Sequence, residues 1–124
     1  MSASTKEVAH QLVDLCKKGE HLKAVQTLYS KDIVSVEPMA HPPMPAESKG
    51  IQAVLGKNEW WLGNHTIHSG TTTGPYVNGD KFIVEFEMDV TQKPTGKRIQ
   101  MRETGLYTVA DGKVVREEFF YLEG

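Results

Sequence analysis

From His65 onward the hydrophobic period of the chain changes from helical to two-residue, and this switch restricts the fold more than any other feature. Upstream, apolar residues recur every three or four positions, as on one face of a helix. Val8, Leu12, Leu15 and Cys16 form one such stripe, with Ala9 and Val13 beside it. Downstream, Phe82, Val84, Phe86, Met88 and Val90 alternate with Lys81, Ile83, Glu85, Glu87 and Asp89. A two-residue period is a strand with one buried face. Helices first and strands afterwards predict an α+β domain, with two or three N-terminal helices packed on an antiparallel sheet.

Local signals place the elements. Ser4 followed by Glu7 reads as a capping box that starts the first helix, and Gly19 stops it. A second helix is expected from about Glu20 to Tyr29, with Leu22, Val25, Leu28 and Tyr29 inward. Ile33 to Glu37 reads as a short β-branched strand. The prolines at 38, 42, 43 and 45 exclude helix or central strand from Pro38 to Pro45. A third helix is expected from near Ser48 to Leu62, with Ile51, Val54, Leu55, Trp61 and Leu62 inward and Gly63 at its end. Ile99 to Val109 alternates with Ile99, Met101, Tyr107 and Val109 on one side, and Val114 to Leu122 is a further β-rich run. Asn78-Gly79, Pro94-Thr95-Gly96 and Asp111-Gly112 supply hairpin turns, so four long strands form a meander.

The chain has 124 residues, one domain's worth, and 39% of them are hydrophobic, enough for one core. A net charge of -2 with scattered basic residues argues against a nucleic-acid partner. No run approaches the roughly 20 apolar residues of a membrane span, and residues 1–6 lack the apolar core of a signal peptide. The single cysteine, Cys16, suits a reducing cytoplasm. No phosphate-binding glycine loop or nucleophile elbow is present, and no cofactor is expected.

Three segments resemble one family. Tyr29-Ser30-Lys31-Asp32-Ile33-Val34-Ser35-Val36-Glu37-Pro38 is similar to the junction between helix 2 and the first strand of ketosteroid isomerase and its relatives. There an aromatic residue closes the helix, an Asp follows, and a short strand delivers a carboxylate just before a proline. Lys49-Gly50-Ile51 resembles the glycine-led start of the third helix, and Asp111-Gly112-Lys113-Val114-Val115 the turn into the last strand. Their order along the chain resembles the SnoaL-like, ketosteroid-isomerase-like branch of the nuclear transport factor 2-like superfamily. The resemblance implies a strongly bent, cone-shaped α+β barrel of the cystatin-like type, a pocket under the helices, and a homodimer through the sheet.

It also implies that Glu37 is the catalytic base. A base that takes a proton from carbon beside a carbonyl must sit in a mostly apolar cavity; the plain alternative is a strand-end Glu paired with a Lys. The isomerase's tyrosine donor falls on Leu12, so steroid isomerisation is not expected. The isomerase's protonated acid falls near Glu103, Thr104 or Gly105. Only Glu103 could serve, and parity puts it on the face of Met101 and Tyr107, where an acid must be paired or neutral.

His65 and His68, three apart on a strand, face opposite ways and cannot share a metal ion. His65 could face the cavity as an acid or donor, and His41 is expected at the pocket mouth. Trp60 and Trp61 diverge by about 100° on a helix, so only one points fully inward. Tyr29, Met39, Trp61, Met88, Met101 and Tyr107 are the expected ligand contacts; Met39, Met44, Met88 and Met101 are soft apolar groups that suit a broad pocket and an ordinary core equally well. Phe119, Phe120 and Tyr121 in a row cannot all point inward, so an exposed aromatic is expected to mark the dimer face. These features suggest a cofactor-free isomerase, cyclase or dehydratase acting on a small apolar carbonyl compound. The other reading is a noncatalytic module that binds a hydrophobic ligand or serves as a dimeric interaction domain.

Overall fold

The computed structural model describes residues 3–121. Helix α1 spans Thr5–Lys17. Ser4 caps it, its hydroxyl accepting from the Glu7 amide while the Glu7 carboxylate accepts from the Ser4 amide. Gly19 follows with a φ of 73°, which glycine adopts without strain. Helix α2 spans His21–Leu28 and is shorter than expected. Tyr29 already belongs to strand β1, Tyr29–Val36, which begins four residues before Ile33 and stops one short of Glu37.

The third helix also differs from expectation. Glu47–Lys49 forms a short strand, β2, whose Ser48 pairs with Ser35 of β1. Gly50, at a φ of 90°, turns the corner, and helix α3 runs Ile51–Asn64. Gly63 does not end it. The Asn64 amide and the His65 ring donate to the carbonyls of Trp60 and Trp61, satisfying acceptors that the helix end leaves open. Four long strands follow: β3 His65–Asn78, β4 Lys81–Gln92, β5 Arg98–Ala110 and β6 Lys113–Phe120. Leu122, the expected end of the last run, lies outside the described residues.

Among the described residues the strands make one curled, unclosed sheet in the order β2-β1-β6-β5-β4-β3. Among the described residues only β1 and β6 pair in parallel. Val8, Leu12 and Val13 of α1, Val25 and Leu28 of α2 and Val54 of α3 pack with Phe82, Val84, Tyr107 and Val114 of the sheet. Each such side chain contributes about 1.5–3 kcal/mol by leaving water. The expected stripe of α1 is therefore the core stripe. In α3 only Val54 is fully buried, because the rest of its inner face borders a cavity. No helix among the described residues is long and apolar enough to cross a membrane.

Candidate active site

The concave side of the sheet and the three helices enclose a cavity of about 590 Å³. One region of its wall is apolar, with Leu12, Val25, Trp61, Met88, Ile99 and Met101; another holds three carboxyl groups, Glu37, Glu103 and Glu117. A second depression, bordered by Val36, Pro38 and Phe120, is more open and shares Glu37, Phe119 and Tyr121 with the cavity. The enclosed cavity is the better site, since water exclusion strengthens every charge interaction within it.

Glu37 follows the last residue of β1, and its amide donates to the Ala46 carbonyl, which fixes the backbone there. Its carboxylate is held from two sides. The Tyr121 hydroxyl donates to Oε1 at 3.1 Å, and the Lys57 ammonium approaches Oε2 at 3.4 Å. The His41 Nε2 stands 2.7 Å from the Tyr121 oxygen. Since Tyr121 gives its hydrogen to Glu37, that contact needs a hydrogen on Nε2. The proline loop carrying His41 is thus tied to the base, and His41 lines the cavity.

Lys57 comes from the inner side of α3, one turn after Val54. Besides Glu37 it donates to Ser35 Oγ at 2.6 Å and lies 5.3 Å from the centre of the Phe119 ring. Ser35 passes its own hydrogen to Glu117 Oε1 at 3.0 Å, and the Tyr29 hydroxyl donates to Glu117 Oε2. Glu117 is only 2% exposed. Burial pushes its pKa up, with Glu37 adding, against the pull of Lys57, Tyr29 and Ser35.

Glu103 differs from both. Among the described residues no hydrogen-bond partner reaches its carboxyl. Burial, reinforced by the charges of Glu37 and Glu117 and opposed by Lys57, pushes its pKa up to about 7. Two residues on, Gly105 leaves room for the Tyr107 ring: a Cβ there would sit 2.8 Å from Tyr107 Cε2. Tyr107 also stacks on Phe82 at 4.8 Å.

The remaining expected site residues divide. His65 lines the cavity and stacks on Trp61 at 4.2 Å. Its Nδ1 donates to the Trp61 carbonyl, so in the neutral ring Nε2 is an acceptor and becomes a donor only on protonation. His68 sits in a β3 bulge and reaches Thr91 on the exposed surface. Tyr29, Trp61, Met88, Met101 and Tyr107 all border the cavity, as does Met44; Trp60 borders it too. Met39 is half-buried in the proline loop away from the cavity wall.

Sequence reasoning missed Lys57, Ser35, Glu117 and Tyr121. Lys57 had a legible signal, since it lies three residues after Val54 and four before Trp61, on one helical face. Glu117 had none, for the register reason given in the Discussion.

The profile of the SnoaL-like domain matches residues 3–121. The chain belongs to the SnoaL-like family. A SnoaL-like structure from Mesorhizobium loti, provisionally named a polyketide cyclase, is 43% identical. It covers 96% of this chain and 100% of its own, with a TM-score of 0.91. A structure from Bacillus subtilis provisionally named an isomerase shares the fold at 19% identity, covering 93% and 84% with a TM-score of 0.73. A protein of ketosteroid isomerase-like fold from Catenulispora acidiphila, crystallised with trimethylamine, does so at 17% identity, covering 93% and 85% with a TM-score of 0.72. No curated protein sequence matches this SnoaL-like chain.

Proposed function

We propose that this SnoaL-like protein is a cofactor-free acid–base enzyme acting on a small, largely apolar carbonyl compound by isomerisation, cyclisation or dehydration. One observation carries the reading. A carboxylate held by two donors, Glu37, shares a cavity with a carboxyl that has no hydrogen-bond partner among the described residues and a pKa near neutrality, Glu103. Pairs of titrating groups pushed to different protonation states are what base and acid assignments require.

In the proposed step Glu37 takes the proton from carbon beside the carbonyl. The C–H electron pair becomes the C=C bond of an enol, and the carbonyl π pair moves to oxygen. Protonated Glu103 donates a hydrogen bond or its proton to that oxygen. Isomerisation returns the proton from Glu37 to a different carbon, and cyclisation directs the enol at a second carbonyl. In dehydration the carbonyl re-forms, the C–O bond to the β-hydroxyl breaks, and the leaving hydroxide takes the proton held by Glu37 to depart as water. Any proton given by Glu103 returns to it. The apolar wall from Trp61 to Met101 supplies binding area for the rest of the ligand. The reading includes self-association through the outer sheet face, where Tyr76 and Phe120 are 55% and 54% exposed.

The test is exchange of α-hydrogens for deuterium in D2O, followed by NMR over a panel of cyclic and aryl ketones. Exchange accelerated by the wild type and lost in Glu37→Gln supports the enzyme. If no ketone exchanges while apolar compounds still raise the melting temperature, the chain is a binding module instead.

A further inference from the structure

Lys57 places a positive charge within the enclosed part of the cavity wall. Lys97 and Arg102 also border the cavity, but both are exposed, and Arg102 is paired with Glu87 at 2.5 Å. The Lys57 side chain is 13% exposed. An ammonium has three hydrogens to give. One goes to Ser35 Oγ at 2.6 Å and one to Glu37 Oε2 at 3.4 Å. Phe119 offers its ring face, which supports the charge without taking a conventional hydrogen bond. The third hydrogen has no other acceptor among the described residues.

We infer that Lys57 is a catalytic residue: its third hydrogen binds the substrate's carbonyl oxygen and stabilises the oxyanion that forms there. The proposal rests on the acid–base reading of the same cavity and adds to the Glu103 donor a fixed positive charge that meets the developing charge. The C–H to be broken and the carbonyl oxygen lie one bond either side of the carbonyl carbon. Base and oxyanion donor must therefore be near neighbours, as Glu37 and Lys57 are. When Glu37 accepts the proton it becomes neutral, and the negative charge moves to the substrate oxygen. Lys57 exchanges one anion for another and keeps its own proton. Ser35, whose hydrogen is committed to Glu117, accepts from Lys57 and holds the ammonium in place throughout. Fixed charges aimed at a forming oxyanion need no reorganisation during the reaction.

The test uses 4-nitrophenol, a planar phenol whose anion is coloured and mimics an enolate. An opposite charge within hydrogen-bond reach lowers a group's pKa by about 1–3 units. Bound to the wild type, the phenol should ionise at a pH about one unit or more below that of the free compound. Lys57→Met should abolish that change, Lys57→Arg should restore most of it, and Glu37→Gln should keep it. If Lys57→Met does not fold, as judged by circular dichroism, the Arg and Gln variants still decide. Full ionisation in Lys57→Met, loss of the effect in both Lys57→Arg and Glu37→Gln, a phenol that binds the wild type in neutral form, or no binding at millimolar phenol overturns the proposal. Failure of the enzyme reading shows separately, as absent deuterium exchange in a protein that still ionises the phenol.

Discussion

Tyr107 stands opposite Glu117 across the β5–β6 ladder, one position beyond where the hairpin turn alone would pair it. The Asp111-Gly112 turn sets Ala110 against Lys113 and Val109 against Val114. Continued regularly, that register puts Tyr107 against Arg116. Instead Val115 bulges out, Thr108 pairs with Arg116, and Glu117 takes the inward position. A bulge adds one residue to one strand and so exchanges the faces of everything beyond it. Arg116 is sent outward, where its guanidinium lies 3.5 Å from Glu118. Glu117 is buried between Tyr29 and Ser35.

Tyr29→Phe should therefore be costly for its size. It removes one hydroxyl and leaves Glu117 Oε2 without its donor in a buried site. The expected loss is about 1–3 kcal/mol in urea unfolding. Combined with Glu117→Gln, the two losses should fall well short of adding, as a double-mutant cycle will show.

Glu103 should make the protein lose stability as the pH rises. Its pKa is 4.5 in an ordinary setting and about 7 in the fold, so between these values the folded state holds more protons than the unfolded chain. Its contribution is most favourable below pH 4.5, declines through about 7 and is flat above. Burial is the main cause; the Glu37 and Glu117 charges act in the same direction and Lys57 opposes them. Glu103→Gln should lessen the slope, Glu117 still contributing in the same direction, and be the more stable protein at pH 8, by at most about 3 kcal/mol. Urea midpoints measured at intervals from pH 5 to pH 8 check the sign.

Glu37→Gln should keep the fold and much of the ligand affinity, because the apolar wall is untouched. Gln cannot take a proton, and a positioned base is worth about 10²–10⁴-fold. The α-exchange rate should drop by that factor with little change in KM.

Gly105→Ala should disturb the site indirectly. Its Cβ would press on the Tyr107 ring, which is stacked on Phe82 and has little room to retreat. A loss of about 1–3 kcal/mol is expected from overpacking, with a changed near-ultraviolet circular dichroism signal from the tyrosine.

On the outer face, Tyr76, Ile83 and Leu106 lie side by side across three strands, with Phe120 on the neighbouring row. Light scattering should give a dimer mass at micromolar concentration, and Phe120→Lys should weaken the dimer by placing charge in an apolar contact. A monomer in the wild type would sink this expectation.

Much of the architecture was legible without coordinates because it rests on local chemistry. The capping box at Ser4, the glycine after α1, the alternation from Phe82 to Val90 and the three hairpin turns each act over a few residues. The resemblance around Tyr29 to Pro38 pointed to Glu37, and parity along β5 put Glu103 beside Met101 and Tyr107, where the structure also places it. What the sequence could not supply depends on contacts between distant segments. Tyr29 leaves the helical pattern because β1 pairs in parallel with β6, more than eighty residues away. Ser48 joins a strand because β1 offers it an edge. Glu117 faces inward only because of the bulge at Val115, and the partners that satisfy it come from β1. Lys57 becomes a site residue because α3 lies over that same strand, bringing its ammonium to Ser35 and Glu37. Periodicity reports which residues share a face; only tertiary packing, by setting register and bringing faces together, decides which charges share a cavity.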